Sequence, residues 1–219
     1  MKLIKKLTDA LEQLNGQTRI CKICLKPIHN WNLHIFFKTN YLICAKCEQK
    51  LVPHFYKFSI GEIGAVAIYK YDEEIRGLLY QLKGCYDIEL GGVFLDRFKD
   101  ELKTIYHDYY LVPAPSSKKS DREREFNHVR AIFNCLKLPY LPIVEKSFDY
   151  KQSELTVGAR KEALSKLRLI DKTKLYGKKI LIVDDVFTTG ATVQGIIKLV
   201  KTLNPKKIRV LVMSKTFLK

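Results

Sequence analysis

At 219 residues, 47% apolar and 11% aromatic, the chain has material for one ordinary domain plus a small module, which excludes a disordered polyelectrolyte. A formal charge of +16 and a pI near 9.5 favour anionic partners: nucleic acid, phosphates or an acidic membrane face. No stretch approaches the roughly 20 apolar residues of a spanning helix, so no transmembrane segment is expected, and without a secretory leader the expected location is cytoplasmic.

Leu3, Ile4, Leu7, Leu11 and Leu14 recur at helical spacing and predict a short amphipathic N-terminal helix. Its basic start, Lys2, Lys5 and Lys6, would also suit a membrane surface. Two CxxC knuckles follow, Cys21-Lys22-Ile23-Cys24 and Cys44-Ala45-Lys46-Cys47, with 19 residues between them. That interval is typical of a four-thiolate zinc site, in which each knuckle presents two sulfurs to one tetrahedral metal. The alternative, disulfides, fits poorly with a chain that lacks a secretory signal. Four protein ligands leave no open position, so the zinc is expected to be structural. The intervening stretch, with Trp31, Phe36, Phe37 and Tyr41, is expected to form a hairpin that brings the knuckles together. His29, His34 and His54 read as surface or packing residues, and Cys85 and Cys135 as buried ones.

Near residue 60 the pattern changes, giving an N-terminal helix and zinc module over 1–60 and a second domain over 61–219. In the latter, apolar runs at 65–71, 109–112, 180–183 and 208–213 predict buried strands. Helical patterns at 72–83, 92–103, 122–136 and 191–203 alternate with them. Such alternation predicts an α/β fold with a mostly parallel sheet and covering helices.

The most informative stretch is the strand 180–183 running into Asp184-Asp185-Val186-Phe187-Thr188-Thr189-Gly190-Ala191-Thr192. Ligands of doubly wound sheets bind at the carboxyl ends of strands beside helix N-termini, where free N–H groups favour a phosphate. Thr188, Thr189 and Thr192 add hydroxyl donors, and Gly190 lets the backbone approach closely. The paired acids suit the hydroxyls of a sugar diol. Ordinary capping of a helix needs one Thr or Asp, not this many.

This segment resembles the signature of type I phosphoribosyltransferases. The resemblance implies that Asp184 and Asp185 hold ribose hydroxyls of phosphoribosyl pyrophosphate (PRPP), and that Thr188, Thr189, Gly190, Ala191 and Thr192 cradle its 5′-phosphate. Magnesium would bridge the ribose and pyrophosphate oxygens. Other features extend the likeness: Val112-Pro113-Ala114-Pro115-Ser116 with the basic run Lys118, Lys119, Arg122 and Arg124, then Phe126-Asn127, Lys151-Gln152-Ser153 and Ala159-Arg160. Upstream lie Tyr71-Asp72, Ile75-Arg76 and Leu82-Lys83-Gly84. With the cysteines, this order resembles the ComF (ComFC/GntX) family of competence-associated proteins.

That family implies a type I phosphoribosyltransferase-like fold, with Ala114, Pro115 and Ser116 as the pyrophosphate loop and Lys83 helping to neutralise it. It also implies a role in natural transformation: binding of single-stranded DNA entering the cytoplasm, beside DNA-uptake machinery at the inner face of the membrane. Two departures stand out. Glu125 replaces the glycine of the usual Arg-Gly-Phe-Asn, and the pyrophosphate turn carries small residues where a larger apolar one often sits. An active phosphoribosyltransferase acting on a nitrogenous acceptor is the alternative function, with any acceptor hood expected in the N-terminal half. Charge bias supports the DNA reading: residues 186–219 hold seven Lys or Arg and no acid, and residues 1–60 hold ten basic and three acidic side chains. No GxxxxGK[ST] occurs, which excludes a P-loop helicase.

Overall fold

The computed structural model describes residues 19–28, 42–147 and 166–217. The N-terminal helix, Trp31, His29, His34, Lys151-Gln152-Ser153 and Ala159-Arg160 lie outside the described residues. The chain divides into two compact units, residues 1–49 and 50–219.

The first unit contains the cysteine knuckles. Ile20 and Pro27 form an antiparallel bridge, and Ile28 N–H donates to the Arg19 carbonyl at 2.8 Å, so the first CxxC sits in a tight loop. Leu25 takes the left-handed conformation that closes it, with φ 55°. A short helix α1 (Ala45–Lys50) carries Cys47.

The second unit is a five-stranded sheet. Its strands are β1 (Tyr56–Ile60), β2 (Ile63–Lys70), β3 (Tyr109–Pro113), β6 (Lys179–Phe187) and β7 (Lys207–Lys215), in the order β1-β2-β7-β6-β3. Only β1 runs antiparallel, paired with β2 around Gly61 at φ +59°. The pairs β2/β7, β7/β6 and β6/β3 are parallel. Between β3 and β6 a separate antiparallel pair forms, β4 (Val144–Ser147) with β5 (Lys166–Leu169). The four strands expected from apolar runs are all present. β1 is an addition: its burial alternates between half-buried and exposed, so it has no continuous apolar run to mark it.

The central strands read as continuous apolar runs because both sheet faces are covered. On one face, Ile180, Ile182, Val210 and Val212 pack in a single cluster with Val193, Ile196, Ile197 and Val200 of helix α6 (Ala191–Lys201). The remaining helices are α2 (Glu73–Gly84), α3 (Lys99–Tyr106), α4 (Lys118–Arg124) and α5 (His128–Phe133). Asp72 caps α2 by accepting from Ile75 N–H at 3.0 Å, which is why the helix starts there.

Two helical expectations are corrected. The segment 92–103 begins as 3₁₀ turns at Ile88–Phe94 and Asp96–Phe98 and becomes α-helical only at Lys99. The single helix read at 122–136 is two, broken between α4 and α5, because Glu125 turns left-handed and Asn127 caps the next helix. Cys135 is half-buried, whereas Cys85 is exposed and not the buried residue expected. His54 is exposed and stacks on Tyr56.

The 3₁₀ segment meets α5 so closely that a Cβ on Gly91 would lie 2.8–2.9 Å from the side chain and backbone of Ala131. Gly91→Ala is expected to cost about 1–3 kcal/mol in denaturant unfolding, since backbone must shift. Gly77→Ala, on the exposed face of α2 with nothing within 4 Å, is expected to stabilise by about 0.5–1 kcal/mol in the same assay.

Candidate functional site

The four cysteines converge. Their sulfurs all lie within 4.8 Å of one another, and Cys24 Sγ to Cys44 Sγ is 3.8 Å. Tetrahedral bonds of about 2.3 Å place sulfurs about 3.8 Å apart, so the donor set suits zinc in number, type and spacing. All four are free thiols rather than disulfides. The knuckle also stabilises negative charge: Cys44 N–H donates to Cys21 Sγ at 3.3 Å. Burial works against ionisation of Cys21, yet N–H groups of Cys24, Cys44 and Ile23 outweigh it and lower the thiol to about 6. Burial and the neighbouring thiols push Cys47 the other way. A cation at the centre would relieve that repulsion.

In the second unit a cavity of about 330 Å³ opens at the carboxyl ends of β3 and β6. Of the residues read from the sequence, Lys83, Ala114, Pro115, Ser116, Asp184, Asp185 and Thr192 line it. Thr188, Thr189, Gly190 and Ala191 do not; Thr188 and Thr189 are exposed on the turn into α6. Ala191 and Thr192 border an adjoining groove along that helix. Gly190 has two reasons to be glycine. Its φ is +78°, and a Cβ there would lie 2.4 Å from the Phe187 ring.

Asp185 is the buried acid. Its Oδ1 accepts from Val186 N–H at 2.7 Å, and its Oδ2 forms an ion pair with Lys83 and lies 3.3 Å from His128 Nε2. Burial alone would raise its pKa, but the hydrogen bond from His128 and the charge of Lys83 prevail and hold it well below the usual carboxylate range. Asp184 accepts from Asp185 N–H at 2.9 Å, and burial together with the Asp185 charge pushes its carboxyl well above that range. Ser214, fully buried on β7, donates to the Asp185 carbonyl at 3.1 Å and fixes the strand end.

The opposite wall was only partly legible. Ser117 caps α4, accepting from Ser120 N–H at 3.0 Å, and Ser117, Ser120, Arg124, His128 and Lys146 join the cavity lining. Asn127 is the clasp: it donates to Ser116 Oγ at 2.8 Å and to Asp121 Oδ2 at 3.0 Å, while its own oxygen caps α5. Arg124 Nη2 donates to Asp121 at 2.9 Å and approaches His128 Nδ1 at 3.4 Å. That contact makes Nδ1 the acceptor and leaves Nε2–H to face Asp185. The Arg124 side chain is 9% exposed, and its Nε has no hydrogen-bond partner among the described residues. A buried unpaired donor on a cavity wall suits an incoming anion. Arg124 stood in the basic run, but its acid-interleaved neighbours, which form surface ion pairs, hid it there; Lys119 pairs with Glu123 across an exposed turn. His128 and Lys146 carried no sequence signal of their own.

Glu125, in the position of the family's glycine, has φ 64°. That left-handed turn ends α4, and a non-glycine residue takes it at a cost of about 1 kcal/mol.

Residues 128–215 match the phosphoribosyl transferase domain family. The purine phosphoribosyltransferase of Pyrococcus horikoshii overlays 57% of this chain and 72% of its own, at 19% identity and a TM-score of 0.36. An adenine phosphoribosyltransferase overlays 57% and 69%, at 21% identity and 0.37. At that overlap neither structure adds to what the sheet order shows. No helix among the described residues is long and apolar enough to cross a membrane. The competence protein ComFC of Streptococcus pneumoniae is 27% identical over 214 residues, covering 95% of this chain and 93% of that protein. The competence protein ComFC of Bacillus subtilis is 30% identical over 187 residues, covering 83% and 70%. The chain belongs to the ComFC family of competence proteins, with a phosphoribosyltransferase domain and an N-terminal four-cysteine cluster.

Proposed function

We propose that this protein acts in DNA uptake during natural transformation, binding PRPP with magnesium in the cavity at the sheet's carboxyl end and single-stranded DNA on its basic surface. The observation that carries the PRPP reading is the composition of one cavity: Asp185, its carboxyl held below the usual range, beside Asp184, its carboxyl pushed above it, on one wall, and an unpaired buried Arg124 donor on the other. Ribose hydroxyls would donate to the two carboxyls. The pyrophosphate would meet Arg124, Lys83, Lys146 and the N–H groups beside Ser116. The 5′-phosphate would sit against Thr188, Thr189 and the first turn of α6, where the helix dipole favours it. Magnesium, when bound with PRPP, spreads the charge of the ribose and pyrophosphate oxygens. Zinc on Cys21, Cys24, Cys44 and Cys47 would be structural.

The alternative is an active phosphoribosyltransferase with a nitrogenous acceptor. One observation favours it: an aromatic cluster beside the Thr-Gly turn, with Phe58 and Phe187 rings 4.9 Å apart and Lys215 over both and over Phe217. Such a cluster could offer a face to a flat ring.

The zinc reading leads to an expected stoichiometry of about one metal per chain by elemental analysis, without added zinc. Cys44→Ser is expected to make the N-terminal unit protease-sensitive. A variant as resistant as wild type after chelation would remove the structural role.

For PRPP, Asp184→Asn and Asp185→Asn are each expected to abolish most of the magnesium-dependent thermal protection, but to diverge without ligand. Asp185→Asn loses charge-assisted hydrogen bonds and is expected to lower stability by about 1–3 kcal/mol. Asp184→Asn removes an acid whose folded pKa is raised. Its advantage should be absent below about pH 4, where folded and unfolded carboxyls are both protonated, and should grow as pH rises and only the unfolded one ionises. Unchanged PRPP protection in both variants would remove the ligand from this cavity.

For DNA, gel retardation of an oligothymidylate at low salt is expected, with affinity falling at a log–log slope of about −0.7 per phosphate neutralised. No retardation, together with pyrophosphate release from PRPP in the presence of a base, would transfer the assignment to the alternative.

A further inference from the structure

The parallel strands have a second end. At the amino ends of β6 and β7, Lys179 and Lys207 stand side by side in register, and Lys206 N–H donates to the Lys178 carbonyl at 2.8 Å. The loop before β6 packs along the turn before β7: Leu175, buried, donates its N–H to the Leu203 carbonyl at 2.7 Å, and Lys174 Nζ donates to the Thr202 carbonyl at 2.9 Å. In this loop, between Lys174 and Lys178 in sequence, Tyr176 has 68% of its surface exposed. It is not a loose ring. Asn204 Nδ2 donates to its hydroxyl at 3.2 Å, while Gly177 at φ +74° turns the chain back beneath it.

The charge is one-sided. Lys174, Lys201, Lys206 and Lys207 are all exposed, and residues 172–183 and 186–219 contain no acid. The neighbouring acids are engaged: Asp108 is paired with Lys179, and Asp171 accepts from Thr173 N–H at 2.8 Å. Lysines on a solvated surface are common. An exposed tyrosine whose hydroxyl is pinned, on a loop that packs along a turn bearing exposed Lys201, Lys206 and Lys207, offers a stacking platform inside a phosphate-binding field.

We propose that a single-stranded nucleic acid docks across this amino-terminal end of the sheet, with one base stacked on Tyr176 and flanking phosphates on Lys174, Lys201, Lys206 and Lys207. This rests on the reading of the protein as a single-strand binder and adds the surface and the ring that discriminates strand type. A duplex keeps its bases stacked inward and offers the ring nothing, so single strands are preferred. An acidic lipid surface would use the same lysines but gain little from a single ring whose hydroxyl is already hydrogen-bonded. The face is also remote from the cavity. From Lys179 to Asp184 the strand rises about 16 Å, so DNA and PRPP can be held together.

The test is fluorescence anisotropy of labelled oligothymidylate with the full-length, zinc-loaded chain, against Tyr176→Ala, Tyr176→Phe and the double variant Lys206→Glu/Lys207→Glu. Thermal melting and PRPP-dependent protection, unchanged in all three, show that each is folded. Tyr176→Ala is expected to weaken binding about tenfold or more, with Tyr176→Phe close to wild type. The double lysine variant is expected to weaken it at least tenfold and to flatten the log–log salt slope by about 0.7 for each phosphate that is no longer neutralised. Wild type that binds while all variants bind equally well would place the DNA elsewhere and overturn this surface, leaving the single-strand reading intact. Wild type that fails to bind DNA overturns both. Lysine-dependent capture on phosphatidylserine vesicles without DNA binding would assign the face to lipid and overturn the proposal.

Discussion

A carboxylate kept from water at the end of a buried strand must be neutralised from within the fold, and Asp185 draws that neutralisation from two helices. Lys83 reaches it from the last turn of α2, and His128 from the first turn of α5. These helices lie far apart in sequence, and neither would need its present position if the acid were solvated. The cost of an unpaired buried charge, several kcal/mol, far exceeds the net gain of any one surface ion pair. The cavity's shape follows from this. Its floor is the strand end, and α2 and α5, which reach the carboxylate, share its walls with the loop after β3, α4 and Lys146 of β4.

Further ties extend the same constraint. His128 can present Nε2–H to Asp185 because Arg124 occupies the Nδ1 side, and Arg124 is itself held by Asp121, which Asn127 also grips. Asn127 in turn secures Ser116. The acid wall and the serine wall are therefore joined by a run of side-chain hydrogen bonds, in addition to the β3/β6 ladder that ends with Ala114 N–H donating to the Val183 carbonyl at 2.7 Å. One buried donor, Arg124 Nε, is left over among the described residues. Asp185 Oδ2 is the other buried side-chain atom without a hydrogen bond among the described residues, and it is met instead by the Lys83 charge.

How much of this could be read beforehand depended on whether the signal was local. The strand running into Asp184-Asp185 and the Thr-Gly turn is contiguous, and the sheet, its parallel strands and the four-cysteine convergence could all be read from spacing. β1 escaped because an edge strand with a half-exposed face lacks an apolar run. The break between α4 and α5 escaped because Glu125 is a sound helix former whose left-handed backbone is fixed by its surroundings. His128 and Lys146 escaped for a different reason: their meaning lies in partners found only after folding. Asn127 stood in the family pattern, but its grip on Ser116 and Asp121 is visible only in three dimensions.

The direction of the strands divides the chemistry of the second unit. In a parallel sheet every carboxyl end faces the same way, so the Thr-Gly turn into α6, the serine-capped loop after β3 and the acid pair must share one edge. The amino ends then collect whatever precedes the strands, and here Lys178, Lys179, Lys206 and Lys207 all immediately precede or open β6 and β7. Lysines separated by nearly thirty residues in sequence become neighbours because two strands are in register, not because a basic run was placed there. A chain with +16 of formal charge thus has no need to spread it evenly. The acid pair sits at one end of the sheet, and the exposed Lys206 and Lys207 stand at the other, where a polyanion would meet them without competing for the cavity.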